Sequence, residues 1–288
     1  MNVLTAESRE PRPRQLEDKN GGPGKTYPAI IQGGMGAGVS NWRLANAVAR
    51  TGQLGVVSGT ALDAILARRL QDGDPGGHMR RALAHFPLPK IVERLIDWYF
   101  IPGGKDSDKP YKAVPKYSIT PGKRLQELTI AANFVEVWLA KEGHDGPVGV
   151  NLLEKIQLPN IFSLYGAMMA GVDYVLMGAG IPREIPGILD KLARHEEARL
   201  RINVADVKNG ESFYSRLDPR KIIPLDLPPL KRPEFLAIVA SVTLAITLIK
   251  KAAGKVNGFI IEGPTAGGHN APPRGQLQLD EEGEPLYG

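Results

Sequence analysis

The stretch "GFIIEGPTAGGHNAPPRG", residues 258–275, decides how this chain is read. Gly258 to Ile261 form an apolar β-type run, which breaks at once into glycines and prolines around one imidazole, His269. Glycine admits backbone conformations closed to other residues and leaves N–H groups open to a ligand, and Pro272 and Pro273 stiffen the segment. A buried strand ending in so restricted a turn predicts a ligand-facing loop. Parallel α/β folds bind their ligands beyond the carboxyl ends of their strands.

The same pattern recurs upstream. Strands are predicted at Ala29–Gln32, 54–59, 147–153, 172–180 and 233–241, with 258–263 as the sixth. They end in "QGGMGAG", "SGT", Asn151, "MGAG", "SVT" and "EGPTAGGHN". Helical patterns lie between them. Ser40 is a predicted N-cap for a helix running to Arg50 and stopped by Gly52. Thr120 and Pro121 are predicted to open a helix whose apolar stripe is Leu125, Leu128, Ala132, Val135 and Leu139, stopped by Gly143. Ile185, Ile188, Leu189 and Leu192 line another, and "VTLAITLIKKAAG" ends in two lysines and a glycine, as a helix terminus should. Strands apolar on both faces and alternating with helices predict a buried parallel sheet. Two segments break the alternation. Residues 86–120 read as an insertion placed as a lid, and residues 198–228 as a hairpin excursion turning at "NG".

Composition narrows the function classes. The chain is 42% hydrophobic and 23% charged, which is ordinary globular material. Its net charge of +5 is spread without a Lys/Arg run or interleaved aromatics, so no nucleic-acid partner is predicted. The absence of cysteine excludes disulfides, thiolate metal sites and cysteine nucleophiles. The first 26 residues have no apolar core and read as a disordered polar leader ahead of one domain over 27–288. The longest apolar run, Phe235 to Ile249, is too short to span a bilayer, so a cytoplasmic protein without a membrane partner is expected.

Single residues carry weaker signals. Each glycine turn alone is more often structural than functional, and Gly33, Gly34, Gly36 and Gly38 lack the spacing of a dinucleotide fingerprint. His78, His85, His144 and His195 read as ordinary surface or core histidines. His269 stands apart by its place at a strand end, where an imidazole can take a proton from carbon or steady a developing anion. Asn151 puts an amide inside an apolar strand, which costs free energy unless its hydrogen bonds are met by a core partner or by a ligand. Glu262 offers a carboxylate that is neutral, paired or catalytic, and Arg274 a cation for a phosphate or carboxylate, or merely an exposed loop residue.

Taken together, "QGGMGAGVS", "GVNL" and "EGPTAGGHNAPPRG" resemble the nitronate monooxygenase family, formerly the 2-nitropropane dioxygenases, over about Tyr27 to Arg274. The resemblance implies an FMN-dependent TIM (β/α)8 barrel, a flavoprotein oxidoreductase. It implies His269 as catalytic base or substrate-positioning residue, Asn151 as a flavin contact, Gln32, Gly33, Gly34 and Met35 against the isoalloxazine ring, and Gly267 and Gly268 facing the cofactor through their backbone. Glu262 stands where the family usually has glutamine, and Thr265 where it has glutamate. The implied reaction oxidises an alkyl nitronate, passes electrons to FMN that O2 reoxidises, and gives a carbonyl compound and nitrite.

A TIM barrel has eight strands, and only about six βα units are legible. The chain is therefore expected to be an incomplete barrel that binds FMN weakly. Two alternatives are an NAD(P)H-dependent enoyl reductase on the same barrel, acting on an enoyl compound, and a non-catalytic fragment that persists by associating with a partner. A homo-oligomer is compatible with every one of these readings.

Overall fold

The computed structural model describes residues 14–15, 26–206, 210–223, 227–263, 266, 276, 278–283 and 286. In chain order, β1 (Arg14–Gln15) pairs antiparallel with β2 (Thr26–Tyr27), so the segment read as a wholly loose leader contributes a short ladder. The main sheet is built from β3 (Gly55–Ser58), β4 (Val148–Leu153), β5 (Tyr174–Gly178), β8 (Glu234–Val239) and β9 (Gly258–Ile261). All four pairings are parallel, and the spatial order β3-β4-β5-β8-β9 follows the chain order without reversal. The hairpin β6 (Ala198–Ile202) and β7 (Phe213–Leu217) is antiparallel and forms its own small sheet. Asn209, in the turn expected between them, lies outside the described residues.

The predicted first strand is reduced to a single parallel bridge, Ile31 to Leu54. Gln32 N donates to Leu54 O at 3.0 Å, and the next rung is taken by a side chain, because Val56 N donates to Gln32 Oε1 at 2.9 Å. A side-chain acceptor substitutes there for the backbone ladder, so the strand stops where the glycines begin.

Helices α1 (Trp42–Ala49), α2 (Leu62–Gln71), α5 (Lys123–Lys141), α6 (Gln157–Met169), α7 (Ile185–Ala193) and α9 (Val242–Lys251) lie between the strands. The shorter α3 (His78–Leu83), α4 (Pro89–Tyr99) and α8 (Pro219–Ile222) belong to the connections. Two predicted caps move. Asn41, not Ser40, caps α1, its Oδ1 accepting from Arg43 N at 2.9 Å. The Ser40 hydroxyl is already committed to the glycine turn, since it donates to Gly33 O at 2.8 Å and accepts from Met35 N at 3.0 Å. Helix α5 begins at Lys123 behind Gly122 rather than at Thr120, and no side chain caps it. At the other terminus Ser241 caps α9 through Leu244 N.

The strands alternate between two cores. Val57, Val150, Leu152, Val175, Met177, Phe235, Ala237 and Val239 point into a large cluster shared with the helices. Leu54, Val56, Tyr174 and Leu176 point the other way, into a small cluster with Leu236, Ile238 and Ile260, to which no helix contributes among the described residues. Helices therefore cover one face of the sheet. Fully burying a Leu or Phe is worth about 1.5–3 kcal/mol, so the helix-covered face supplies most of the hydrophobic stability. Helix α5 is enclosed nearly all round, with Glu127, Thr129, Asn133 and Glu136 buried along with its apolar stripe.

Residues 86–120 pack into the helical layer. Arg94 grips Glu127 of α5 through Nη2 at 2.6 Å and Nε at 3.2 Å, and Lys112 N donates to Gln71 Oε1 at 2.6 Å. This segment therefore covers the helices rather than closing over the glycine turn of residues 32–38. Among the described residues no helix is long and apolar enough to cross a membrane.

Candidate functional site

The carboxyl ends of β3 and β4 hold the first candidate site. The turn after Gln32 folds back on the face without helices. A Cβ added to Gly34 would stand 2.5 Å from Val56 Cγ1 and 2.8 Å from Asn151 Cβ, so only glycine fits between the turn and the sheet. Gln32 is engaged within the protein at both ends of its amide, with Nε2 on Gly33 O and on Ser40 Oγ, and Oε1 on Val56 N. Its contribution is to hold the turn. Among the described residues the N–H groups of Gly33 and Gly34 meet no acceptor.

Asn151 faces this turn from β4 and is only 7% exposed. Its Nδ2 contacts Met35 Sδ at 3.3 Å, a weak acceptor, and no stronger side-chain hydrogen bond holds it among the described residues. A buried amide left so poorly satisfied is costly. The site thus brings Gln32, Gly33, Gly34, Met35 and Asn151 together, with two free N–H donors and one under-used amide.

The other expected residues fall elsewhere. Glu262 follows β9, its N–H donating to Val239 O at 2.9 Å, and β9 is three strand spacings from β4, roughly 14 Å. Gly267, Gly268, His269 and Arg274, with Thr265, lie outside the described residues. The remaining histidines hold structural places. His144 Nδ1 accepts from Gly146 N at 3.0 Å, which puts its proton on Nε2 toward Ala140 O. His195 is held between the Tyr165 hydroxyl at 2.8 Å and Pro228 O at 3.0 Å. His85 stacks on Trp138, and His78 tilts against Trp42. No cluster of His, Asp or Glu able to hold a metal occurs among the described residues.

A second concavity lies on the opposite, helix-covered side. Its volume is about 780 Å³, and its walls come from the start of α2, the middle of α5, the start of α6 and the strap 114–117. A Cβ added to Gly59, on its rim, would meet Leu152 and Val150, both members of the helix-side core. The glycine turn and this lateral cavity are therefore separated by the sheet.

Polar groups are concentrated on its floor. Thr129 Oγ1 donates to Leu125 O at 2.8 Å and makes a short contact with the Tyr117 hydroxyl. The Tyr117 hydroxyl also interacts with the Asp63 carboxyl, and this contact favours the carboxyl's ionised form. Burial, the largest influence, pushes the Asp63 carboxyl up from its ordinary value, against the Ala64 N–H. Burial likewise pushes the Tyr117 phenol up. One turn further along α5, Asn133 is 1% exposed; its Nδ2 donates to Thr129 O at 2.9 Å, and its Oδ1 has no donor. The amide orientation is fixed, since a flip would set two carbonyl oxygens together.

Asp63, Tyr117, Thr129 and Asn133 escaped the sequence reading. The available signal was two polar residues four apart, Thr129 and Asn133, on a helix otherwise apolar on that side. Comparison with known proteins adds no relative, since no protein-family model matches this chain and no curated protein matches it.

Proposed function

We propose that the protein is an FMN-dependent oxidoreductase of the nitronate monooxygenase type, built on a (β/α)8 barrel. The observation that carries the reading is the meeting of the Gly33–Gly34 backbone with the poorly satisfied Asn151 amide at the carboxyl end of a parallel sheet. Singly wound order supports the barrel. Chain-ordered parallel strands with helices on one face are the arrangement expected of a barrel wall, whereas a doubly wound sheet reverses its order and carries helices on both faces. Partly exposed Leu236, Ile238 and Ile260 lie on the helix-free face, which in a barrel would point to the interior. The exposed stripe Val242, Ile246 and Ile249 on α9 is where the next helix would pack.

The residues present fit a flavin. Two free N–H donors suit ring carbonyl and nitrogen acceptors, and the Asn151 amide can both give and accept a hydrogen bond there. FMN, when bound, would supply a reversible store for electrons that O2 withdraws. Gln32 and Ser40 would keep the turn at a fixed height, and Val56 would exclude water from beneath it. His269 is proposed, from the resemblance alone, to take or steady the substrate's α-proton.

The test is an FMN titration of the full chain, followed by anaerobic mixing with ethyl nitronate or with NADH and NADPH. Asn151→Leu and Gly34→Val are expected to weaken FMN binding about tenfold each, by loss of a hydrogen bond and by obstruction. Nitronate, not the nicotinamides, is expected to bleach the flavin. Unchanged FMN binding in both variants would overturn the site, and bleaching by the nicotinamides alone would make the protein an enoyl reductase.

A further inference from the structure

The lateral cavity has no part in the flavin reading, yet it carries the marks of a second binding site. We propose that it binds an amphipathic organic anion, a medium-length apolar chain with an acidic group at one end and a hydroxyl at the other. The size suits such a ligand, since small-molecule sites span about 300–1,000 Å³ and this cavity measures about 780 Å³. Leu62, Val114, Pro115, Ile156, Leu158 and Pro159 give it apolar walls.

The floor calls for a hydrogen-bond donor. Asn133 Oδ1 is buried without a partner, and Ser163, 2% exposed one helix away, makes no hydrogen bond among the described residues. The nearby hydroxyls are already engaged, because Thr129 gives its proton to Leu125 O and Tyr117 is taken up by Thr129 and Asp63. A ligand hydroxyl would donate to Asn133 Oδ1. The rim calls for negative charge: Lys116 and Lys155 are exposed at its edge, and neither joins an ion pair among the described residues. An acid group at the rim and a hydroxyl at the floor satisfy both ends of one apolar channel.

Isothermal titration of the full chain, without flavin, tests this with three probes: 10-hydroxydecanoate, decanoate and 1,10-decanediol. The hydroxy acid is expected to bind about fivefold tighter than decanoate, the value of one ordinary hydrogen bond. Asn133→Leu should erase that preference while decanoate binding stays. The pair Lys116→Gln and Lys155→Gln should weaken both acids and leave the diol unaffected. Should Asn133→Leu fail to fold, Leu158→Trp, placed in the partly exposed wall, should abolish binding of all three. No binding by any probe, equal binding of the two acids, or a preference that survives Asn133→Leu would overturn the proposal. Because no flavin is present, such a failure leaves the oxidoreductase reading untouched.

Discussion

The two faces of the main sheet come from the same strands and are built to different standards. On one, Val150, Leu152, Val175, Met177 and Phe235 are sealed under helices. On the other, Leu54, Val56, Tyr174 and Leu176 are buried, but the cluster thins into partly exposed Leu236, Ile238 and Ile260 toward β9. Stability is concentrated where the helices lie, and the glycine turn with Asn151 occupies the less covered side. The thinly packed face is the one that carries the turn proposed to receive the flavin.

That contrast can be broken by measurement. Phe162→Ala, at a fully buried position on α6, is expected to cost about 3–5 kcal/mol in urea unfolding, against about 1 kcal/mol for Ile260→Ala on the other face. Equal costs would mean that the uncovered face is as well packed as the helical one. Next in size is Glu136, 2% exposed, which accepts from Arg69 Nη1 at 2.6 Å and from Trp42 N at 2.8 Å. Glu136→Ala leaves Arg69 without its partner and should cost about 3 kcal/mol, with Glu136→Gln recovering part through the Trp42 bond.

Two acids, the buried Asp63 and the half-buried Asp173, should respond to pH in opposite directions. Burial raises the Asp63 carboxyl, so its folded form holds a proton more tightly than the unfolded chain does. Stability then falls as pH rises from the ordinary carboxylate range through the raised value. Asp63→Asn is therefore expected to stabilise the protein at neutral pH and to have little effect in acid. Burial also pushes Asp173 up, but hydrogen bonds from Lys141, the Val148 N–H and Lys231 outweigh it and leave that carboxyl lowered. Its contribution is present above the ordinary carboxylate value and is lost as pH falls through the lowered one, so Asp173→Asn should destabilise at neutral pH and become silent in acid. Unfolding free energies at pH 2, pH 4 and pH 7 separate the two cases, the Asp173 effect fading only toward the lowest pH. The smallest effect belongs to the uncovered surface of α9. Ile249→Lys, at a position 67% exposed, should change stability by no more than about 0.5 kcal/mol. A loss well above that would show that something covers the stripe in solution.

Much of the framework was readable before the structure. The apolar runs at 54–59, 147–153, 172–180, 233–241 and 258–263 each hold a strand, because runs buried on both faces cannot be mistaken for exposed loops. The caps were less legible. Ser40 and Asn41 are both good N-caps, and only the nearby turn, which takes the Ser40 hydroxyl, decides between them. Asn151 was legible as an amide out of place in an apolar strand. The cluster at Asp63, Tyr117, Thr129 and Asn133 was not, since its members are 70 residues apart from first to last and meet only through folding.

Composition and periodicity by themselves determined the alternation of strand and helix, the parallel pairing and the absence of thiol chemistry, all of which depend on local pattern. Tertiary structure decided which face of each strand the helices cover, that residues 86–120 join the helical layer, and that Asn133 keeps an unmet oxygen. Those outcomes depend on which side chains exhaust one another's hydrogen bonds across long stretches of chain, and no local pattern records that.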